Sequence, residues 1–375
     1  MRALVLGCGE MGRVAIADLI KHGVFRDVVV ATRTPSHAEQ LLADLHSWTV
    51  RTSVVAIDVQ DERALAQCMK GFDVVCNMAG PNYLNAVPVA KAAITAGVSL
   101  VDVSDDWEAT LEILNLHGAA EAAGVTVIVG LGASPGVTNV LARYAVDKLD
   151  TADEVHTSWV MRGSDLGGPA LSAHLLHSLP HRAFVFANKA MQEVRPFIDG
   201  RETIRFPELG DVEVTHIGHP EPFTLSRYLP GLSYADDKAA FLPVELDQTI
   251  VELGKVAMSG MTVRVDGHVV DPMDFASTYL YNKGKSMTTV SKTGALRTEV
   301  RGYLEGKRTR IIYSAAGRIC TGTGVPASIG AHELAIGNIK KPGVFPPEAC
   351  IDPESFLTAV STRDVGEVEE QIIQE

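Results

Sequence analysis

The chain has 375 residues, a formal charge of −13, 46% apolar and 21% charged residues; this is an ordinary globular composition, too long for one compact core. The acidic balance argues against a nucleic-acid or anionic-membrane partner, which would need a basic surface, though it leaves room for a local basic pocket that takes a phosphorylated cofactor. No apolar run reaches the roughly 18 residues of a membrane span, and MRALVLGCGEMG lacks the pattern of a signal peptide. Cysteines 8, 68, 76, 320 and 350 form no CxxC pair and no Cys/His cluster, so reduced thiols, a cytoplasmic location and no metal site are expected.

In chain order, 3–6 (ALVL) reads as a buried strand and 11–22 as a helix. Ala15, Ile16, Leu19 and Ile20 give that helix its spacing, and Gly23 its stop. Residues 27–32 are a second strand, after which Ser36 can cap a helix to about Leu45, with Glu39 as capping-box partner. A third strand spans 53–57, and Asp61 caps a helix that ends near Lys70. Strand four is 73–78, and a helix from about Asn85 ends at Gly97. Strand five is 98–103, a helix from about Glu108 ends at Gly124, and strand six is 125–130. Such alternation demands right-handed crossovers and a doubly wound parallel sheet, which binds ligands beyond its carboxyl strand ends. After about residue 150 the pattern turns strand-like, at 154–161, 212–217, 262–265, 298–304 and 308–314. A helix-like run follows at 327–339, then a Pro-rich stretch and an acidic tail, 364–375, expected to be exposed.

Gly7-Cys8-Gly9-Glu10-Met11-Gly12 fits GxGxxG. The pattern alone is weak, but here it follows a buried strand and opens a helix. The first Gly permits the turn, the second lets backbone approach a pyrophosphate, and the third lets helix pack on strand. The helix start, with Glu10 and Met11, offers free N–H groups to phosphates. The end of strand two reads Ala31-Thr32-Arg33-Thr34 and carries no acid. An acid there would bind a ribose 2′-OH, whereas Arg33 between Thr32 and Thr34 suits a 2′-phosphate, so NADP(H) is favoured over NAD(H). Asp58 can touch the adenine edge or cap the following turn. Ala79-Gly80-Pro81 lies where ribose and nicotinamide pass in such folds. The expected class is α/β: an N-terminal Rossmann doubly wound parallel sheet over 1–138, and a second α+β domain built on a mainly antiparallel sheet over 139–322. A C-terminal segment, 323–375, is expected to pack back on the Rossmann domain.

Several stretches together resemble the saccharopine dehydrogenase and lysine 6-dehydrogenase-like family. They are the glycine loop with ATRT at 31–34, DVVCNMAGP at 73–81, GLGASPGVTNVLA at 130–142, THIGHPEPFTLSRYLP at 215–230, GVPASIGA at 324–331, and PGVFPPEACIDPESFL at 342–357. The resemblance implies an NAD(P)-dependent reaction at an amino-acid or polyamine C–N bond through an imine, two domains, and a homodimer. ATRT departs from the NAD-dependent lysine dehydrogenases, which carry an acid there, and so puts a lysine-deaminating role in doubt.

Such chemistry needs a held carboxylate, a managed proton and a carbon set against the nicotinamide. Arg227, with Thr224 and Ser226 beside it, is the candidate carboxylate clamp; a structural ion pair at a strand end is the plain alternative. His174 and His177, three apart, are candidates for proton transfer, with His216 weaker, and each can equally be structural. Asp102 and Asp105 can meet a substrate ammonium or cap the next helix. Asn139 and Ser134 can bond substrate or cofactor amide. Two other readings stand beside this one: a lysine 6-dehydrogenase-type deaminase, and a dinucleotide-binding regulatory protein without catalysis. A dehydrogenase acting on a carbonyl is a third.

Overall fold

The computed structural model describes residues 1–45, 49–287, 293–363 and 365–375. The chain forms two compact units, Met1–Val140 with Cys320–Val365, and Leu141–Ile319 with Gly366–Glu375.

The first 136 residues alternate β1 (Arg2–Leu6), α1 (Glu10–His22), β2 (Asp27–Thr32), α2 (Pro35–Asp44), β3 (Arg51–Ala56), α3 (Glu62–Met69), β4 (Val74–Asn77), α4 (Asn82–Ala96), β5 (Ser99–Asp102), α5 (Trp107–Leu114), α6 (His117–Ala123) and β6 (Thr126–Val129). The core strands bury on both faces because their runs are continuously apolar, as in Leu4-Val5-Leu6 and Val28-Val29-Val30. Gly97 and Gly124 end α4 and α6 in the left-handed region, which costs a residue without Cβ nothing. Two local expectations change. α2 starts at Pro35 with Thr34 before it, because proline's fixed φ suits the first helical position better than a Ser36 cap does. The single helix expected to end at Gly124 is two, broken where Leu116 N–H bonds Ile113 O in a tightened last turn.

α7 (Val137–Lys148) leads into the second unit, which holds β7 (Thr151–Arg162), α8 (Pro169–Ser178), β8 (Ala183–Ala187), β9 (Ala190–Val194), β10 (Glu202–Phe206), β11 (Gly210–His216), α9 (Glu221–Tyr228), β12 (Tyr234–Leu242), α10 (Glu245–Ala257), β13 (Val263–Val265), β14 (His268–Val270), α11 (Pro272–Ser286), β15 (Gly294–Leu304) and β16 (Lys307–Gly317). α12 (Ile319–Ile336), β17 (Gly343–Phe345), α13 (Pro347–Cys350) and α14 (Pro353–Ser361) follow, and β18 (Val368–Gln374) ends the chain.

The first unit's sheet runs β17-β6-β5-β4-β1-β2-β3, every pairing parallel. Its seventh strand comes from the C-terminal stretch, Gly343–Phe345 beside β6. The second unit's main path runs β10-β11-β12-β7-β15-β16-β18. Only β7 and β12 pair in parallel there, and the other pairings are antiparallel. α8, α10 and α11 cover one face, where Trp159, Met161 and Phe241 meet Leu176, Ile250 and Leu280. Val160 and Ala240 pack with Ile204, Phe206 and Val214 in a second cluster. The acidic tail is exposed by side chain, yet its backbone is a strand paired to β16 from Thr309 to Ala315.

Candidate active site

The glycine loop is held by its own geometry. Gly7 has φ +90°, and a Cβ there would stand 2.8 Å from Met78 O. A Cβ at Gly12 would stand 2.5 Å from Gly7 O, so helix and strand close on each other only with glycine at both positions. Gly9 is the opposite case: a Cβ there meets nothing within 4 Å. That open space over the start of α1 is where a pyrophosphate could approach backbone. The helix ladder begins with Arg13 N–H on Gly9 O, which leaves the N–H groups of Glu10, Met11 and Gly12 for an anion.

At the end of β2, Arg33 is exposed and Thr34 N–H donates to Thr32 Oγ1 at 3.3 Å. Asp58 accepts from Gln60 N–H at 3.0 Å, so its carboxylate caps a turn at the end of β3. The carboxyl end of β2, Ala31-Thr32-Arg33-Thr34, carries no acid that would repel a 2′-phosphate.

The ends of β4 and β5 carry a buried polar pair. Asn77 Nδ2 donates to Asp102 Oδ2 at 2.6 Å, and Ser104 N–H donates to Asp102 Oδ1 at 2.7 Å. Asp102 is 1% exposed. Burial raises its pKa to about 6, with Asp105 adding to the rise against the two hydrogen bonds. It therefore titrates near neutral pH beside the chain segment expected to meet the nicotinamide. The other side of Asn77 takes Ala79 N–H at 3.1 Å, and Asn85 Nδ2 holds Gly80 O at 2.9 Å. Ala79-Gly80-Pro81 is thus fixed from both flanks. Asp105 accepts from Asn82 Nδ2 at 2.7 Å, and the helix cap falls to Asp106 instead.

The 130–142 stretch is a closed loop. A Cβ at Gly136, φ +128°, would stand 2.0 Å from Gly132 O. Asn139 is fully buried; it accepts from Gly136 N–H at 3.0 Å and donates to Glu348 Oε2 at 3.0 Å. Its amide ties the loop to the C-terminal stretch, which explains why the two stretches share one chain pattern. Ser134 Oγ accepts from Thr138 Oγ1 at 3.3 Å.

In the second unit, His174 and His177 do lie on a helix, α8. His174 is buried, with Nδ1 at 3.3 Å from Ser178 Oγ, and His177 is half-buried. Arg227 sits on α9, not at a strand end. Its guanidinium is exposed, 5.4 Å over the Tyr228 ring, and has no ion-pair partner among the described residues. Thr224 is buried and Ser226 Oγ donates to Phe223 O at 3.3 Å, so the three residues do not converge as one clamp.

Two buried centres escaped the sequence reading. His219 Nδ1 lies 2.6 Å from Glu221 Oε2 and 3.4 Å from Asp237 Oδ2, while Thr157 and Trp159 donate to Asp237 at 2.6 and 3.1 Å. Burial and the neighbouring Glu221 push the Asp237 carboxyl well up. Asp236 sits on the other face, bonded to His156 at 2.8 Å and to His216 at 3.0 Å, with Lys238 at 3.4 Å. Burial opposes its charge, and the hydrogen bonds from His156 and His216 with the charges of His156 and Lys238 overcome it, holding the carboxyl far below the usual range. His216 is thereby held by a hydrogen bond to Asp236. The only signal in sequence was Asp-Asp-Lys inside a strand, which by itself reads as a turn.

Residues 3–128 match the family described as the saccharopine dehydrogenase NADP binding domain. A carboxyaminopropylagmatine dehydrogenase of Synechocystis is 25% identical over 390 residues, covering 95% of this chain and 94% of that protein. A carboxynorspermidine synthase of Vibrio alginolyticus is 25% identical over 398 residues, with the same coverage of 95% and 94%. Apo saccharopine dehydrogenase (L-Glu forming) from Saccharomyces cerevisiae shares the fold, with a TM-score of 0.71 at 16% identity and 99% coverage of both chains. No helix among the described residues is long and apolar enough to cross a membrane.

Proposed function

From residues 3–128, which match the saccharopine dehydrogenase NADP binding domain, we infer that the protein is an NAD(P)-dependent oxidoreductase acting on a C–N bond through an imine, with NADP(H) preferred. The observation that carries this is the pairing, within the first unit, of an open Gly9 cradle with a buried Asp102 that titrates near neutral pH. A non-catalytic binding module needs the first and has no use for the second. The relatives' names point to carboxylated polyamine derivatives, so the substrate class proposed here is a secondary amine that bears a carboxylate and an aminoalkyl chain.

Bound NADP(H) supplies the hydride. In the reducing direction the imine carbon gains that hydride and the nitrogen gains one proton, giving the secondary amine. Asp102, half protonated near its pKa of about 6, is the proposed source of the proton, and Asn77 orients it. Arg227, whose guanidinium is free of ion pairs among the described residues, is proposed to take the substrate carboxylate. His174 and His177 remain alternatives for the proton. Backbone N–H groups of Glu10, Met11 and Gly12 would hold the pyrophosphate, and Arg33 with Thr32 and Thr34 the 2′-phosphate. A homodimer is part of the same reading.

The test is NADPH oxidation against keto acids and semialdehydes, each alone and then with agmatine, diamines or lysine, repeated with NADH. Turnover only when carbonyl and amine are both present supports the reading. Turnover of a carbonyl alone, or tight NADPH binding with no turnover, overturns it. Equal rates with both cofactors would remove the role given to Arg33.

A further inference from the structure

The other end of the first unit's sheet also holds an organised site. Arg2, Arg26 and Arg51 line one open cavity of ≈ 520 Å³ at the amino ends of β1, β2 and β3, together with Asp27, Val29, Thr52 and Ser53. This cavity is lined by two positive charges in excess, on a chain of formal charge −13. Asp73 stands beside it and accepts from Arg2 N–H at 2.6 Å.

Arg2 and Arg51 are held in place before any ligand arrives. Asp27 takes Arg51 Nε at 2.7 Å and Arg51 Nη2 at 3.1 Å, a two-pronged grip that lowers the Asp27 pKa. Arg2 is fixed three ways: Nη1 donates to Gly71 O at 3.1 Å, the guanidinium lies 4.5 Å over the Phe72 ring, and Nε is 3.5 Å from Asp27. Arg26 touches the same carboxylate only at 3.6 Å. One acid therefore anchors three guanidiniums while using a small part of their donors. The Arg26 and Arg51 side chains are 70% and 78% exposed, so those donors face water. The exposed hydroxyls of Thr52 and Ser53 add further donors on β3.

A surface ion pair alone would balance its charges. Two fixed forks and the exposed Arg26 guanidinium around one carboxylate instead match an anion of at least two charges and several acceptor oxygens. We propose that this cavity is a second anion site that binds a small phosphorylated ligand, separate from the glycine loop. It lies at the far ends of the same three strands, roughly 15–20 Å from their carboxyl ends by strand rise. The inference does not depend on the activity proposed above.

Inorganic pyrophosphate is the probe, titrated calorimetrically into the full chain at low salt. The glycine loop is silenced with Gly9→Ala, which puts a methyl into the open space at no steric cost to the fold, since Gly9 has φ −74°. Expected is saturable binding that survives Gly9→Ala and weakens at least about tenfold when Arg26→Glu is added. Arg26 makes no side-chain hydrogen bond among the described residues, so this variant folds as the parent does; adding Arg51→Gln should remove what remains. No binding in the Gly9→Ala protein overturns the proposal, and so does binding that Arg26→Glu leaves unchanged. NADPH binding measured on the same Gly9→Ala sample reports separately on the glycine loop.

Discussion

Asp102 and Asp236 are both about 1% exposed, yet burial leads them to opposite ends. Asp102 has two neutral hydrogen-bond donors and, among the described residues, no cation in contact, and its pKa rises to about 6. Asp236 faces His156, His216 and Lys238, and stays charged far into acid. Burial opposes the charge in both, and the partner set decides the outcome. The second unit thus uses a buried acid to join strands β7, β11 and β12. The first unit keeps one at the end of β5 with no counter-charge in contact among the described residues. That contrast sets a carboxylate tied by cations apart from one whose proton is held by burial, the property the proposed proton donor needs.

The comparison breaks first at Asp236. Asp236→Ala leaves three cationic or protonatable groups without their common partner and should destabilise the fold by about 3–5 kcal/mol. A urea midpoint within experimental scatter of the parent would show that the centre is not the tie described.

The second break concerns sign against pH. Asp102 is raised above its unfolded value, so its contribution to stability is complete below about pH 4 and is lost as pH rises through about 6. The loss amounts to about 3 kcal/mol at most. Asp236 is depressed, so its contribution is present above about pH 4 and is lost as pH falls. Asp102→Asn should therefore gain on the parent in urea midpoint from pH 4 to pH 7, and its activity should lose the limb near pH 6. A pH-independent difference between the two proteins would reject the assignment.

Smaller effects sharpen the chemical side. Arg227→Ala, losing a charge-assisted contact of about 1.5–3 kcal/mol, should raise KM for the carboxylated substrate roughly 10- to 100-fold, with Arg227→Lys recovering part. An unchanged KM would make Arg227 a surface residue. Arg33→Ala should cost NADPH affinity roughly tenfold while leaving NADH nearly alone, about 1.4 kcal/mol of selectivity; isothermal titration with both cofactors reads it directly.

The glycine loop, the acid-free end of β2 and the six leading strands were legible because each rests on local sequence. Continuous apolar runs and Gly stops specify them without reference to distant residues. The second unit was legible only as strand-rich. α10 and α11 were missed: α11 carries Asp274, Asn282 and Gly284 among its apolar residues, which blurs the helical period. β17 has three residues, too short for any period, and owes its pairing to β6. The candidate site divided in the same way. Asp102 stands out in sequence by its place at the end of β5. The Asp236 centre does not, since His156 joins it from 80 residues away and its own stretch reads as polar. Nothing near Asn139 in sequence announces its hydrogen bond to Glu348, 209 residues on.

β17 also bears on how the chain is made. The first unit's sheet is finished by Gly343–Phe345, and its Asn139 loop by Glu348. At about 5–20 residues per second, the ribosome delivers those pieces roughly ten to forty seconds after β6 has emerged. During that interval β6 waits with one edge bare, open to strangers in the crowded cell. A guardian that holds nascent chains, or a fast-folding second unit, becomes a condition of yield, and shortening the gene before codon 343 should turn expression into aggregates.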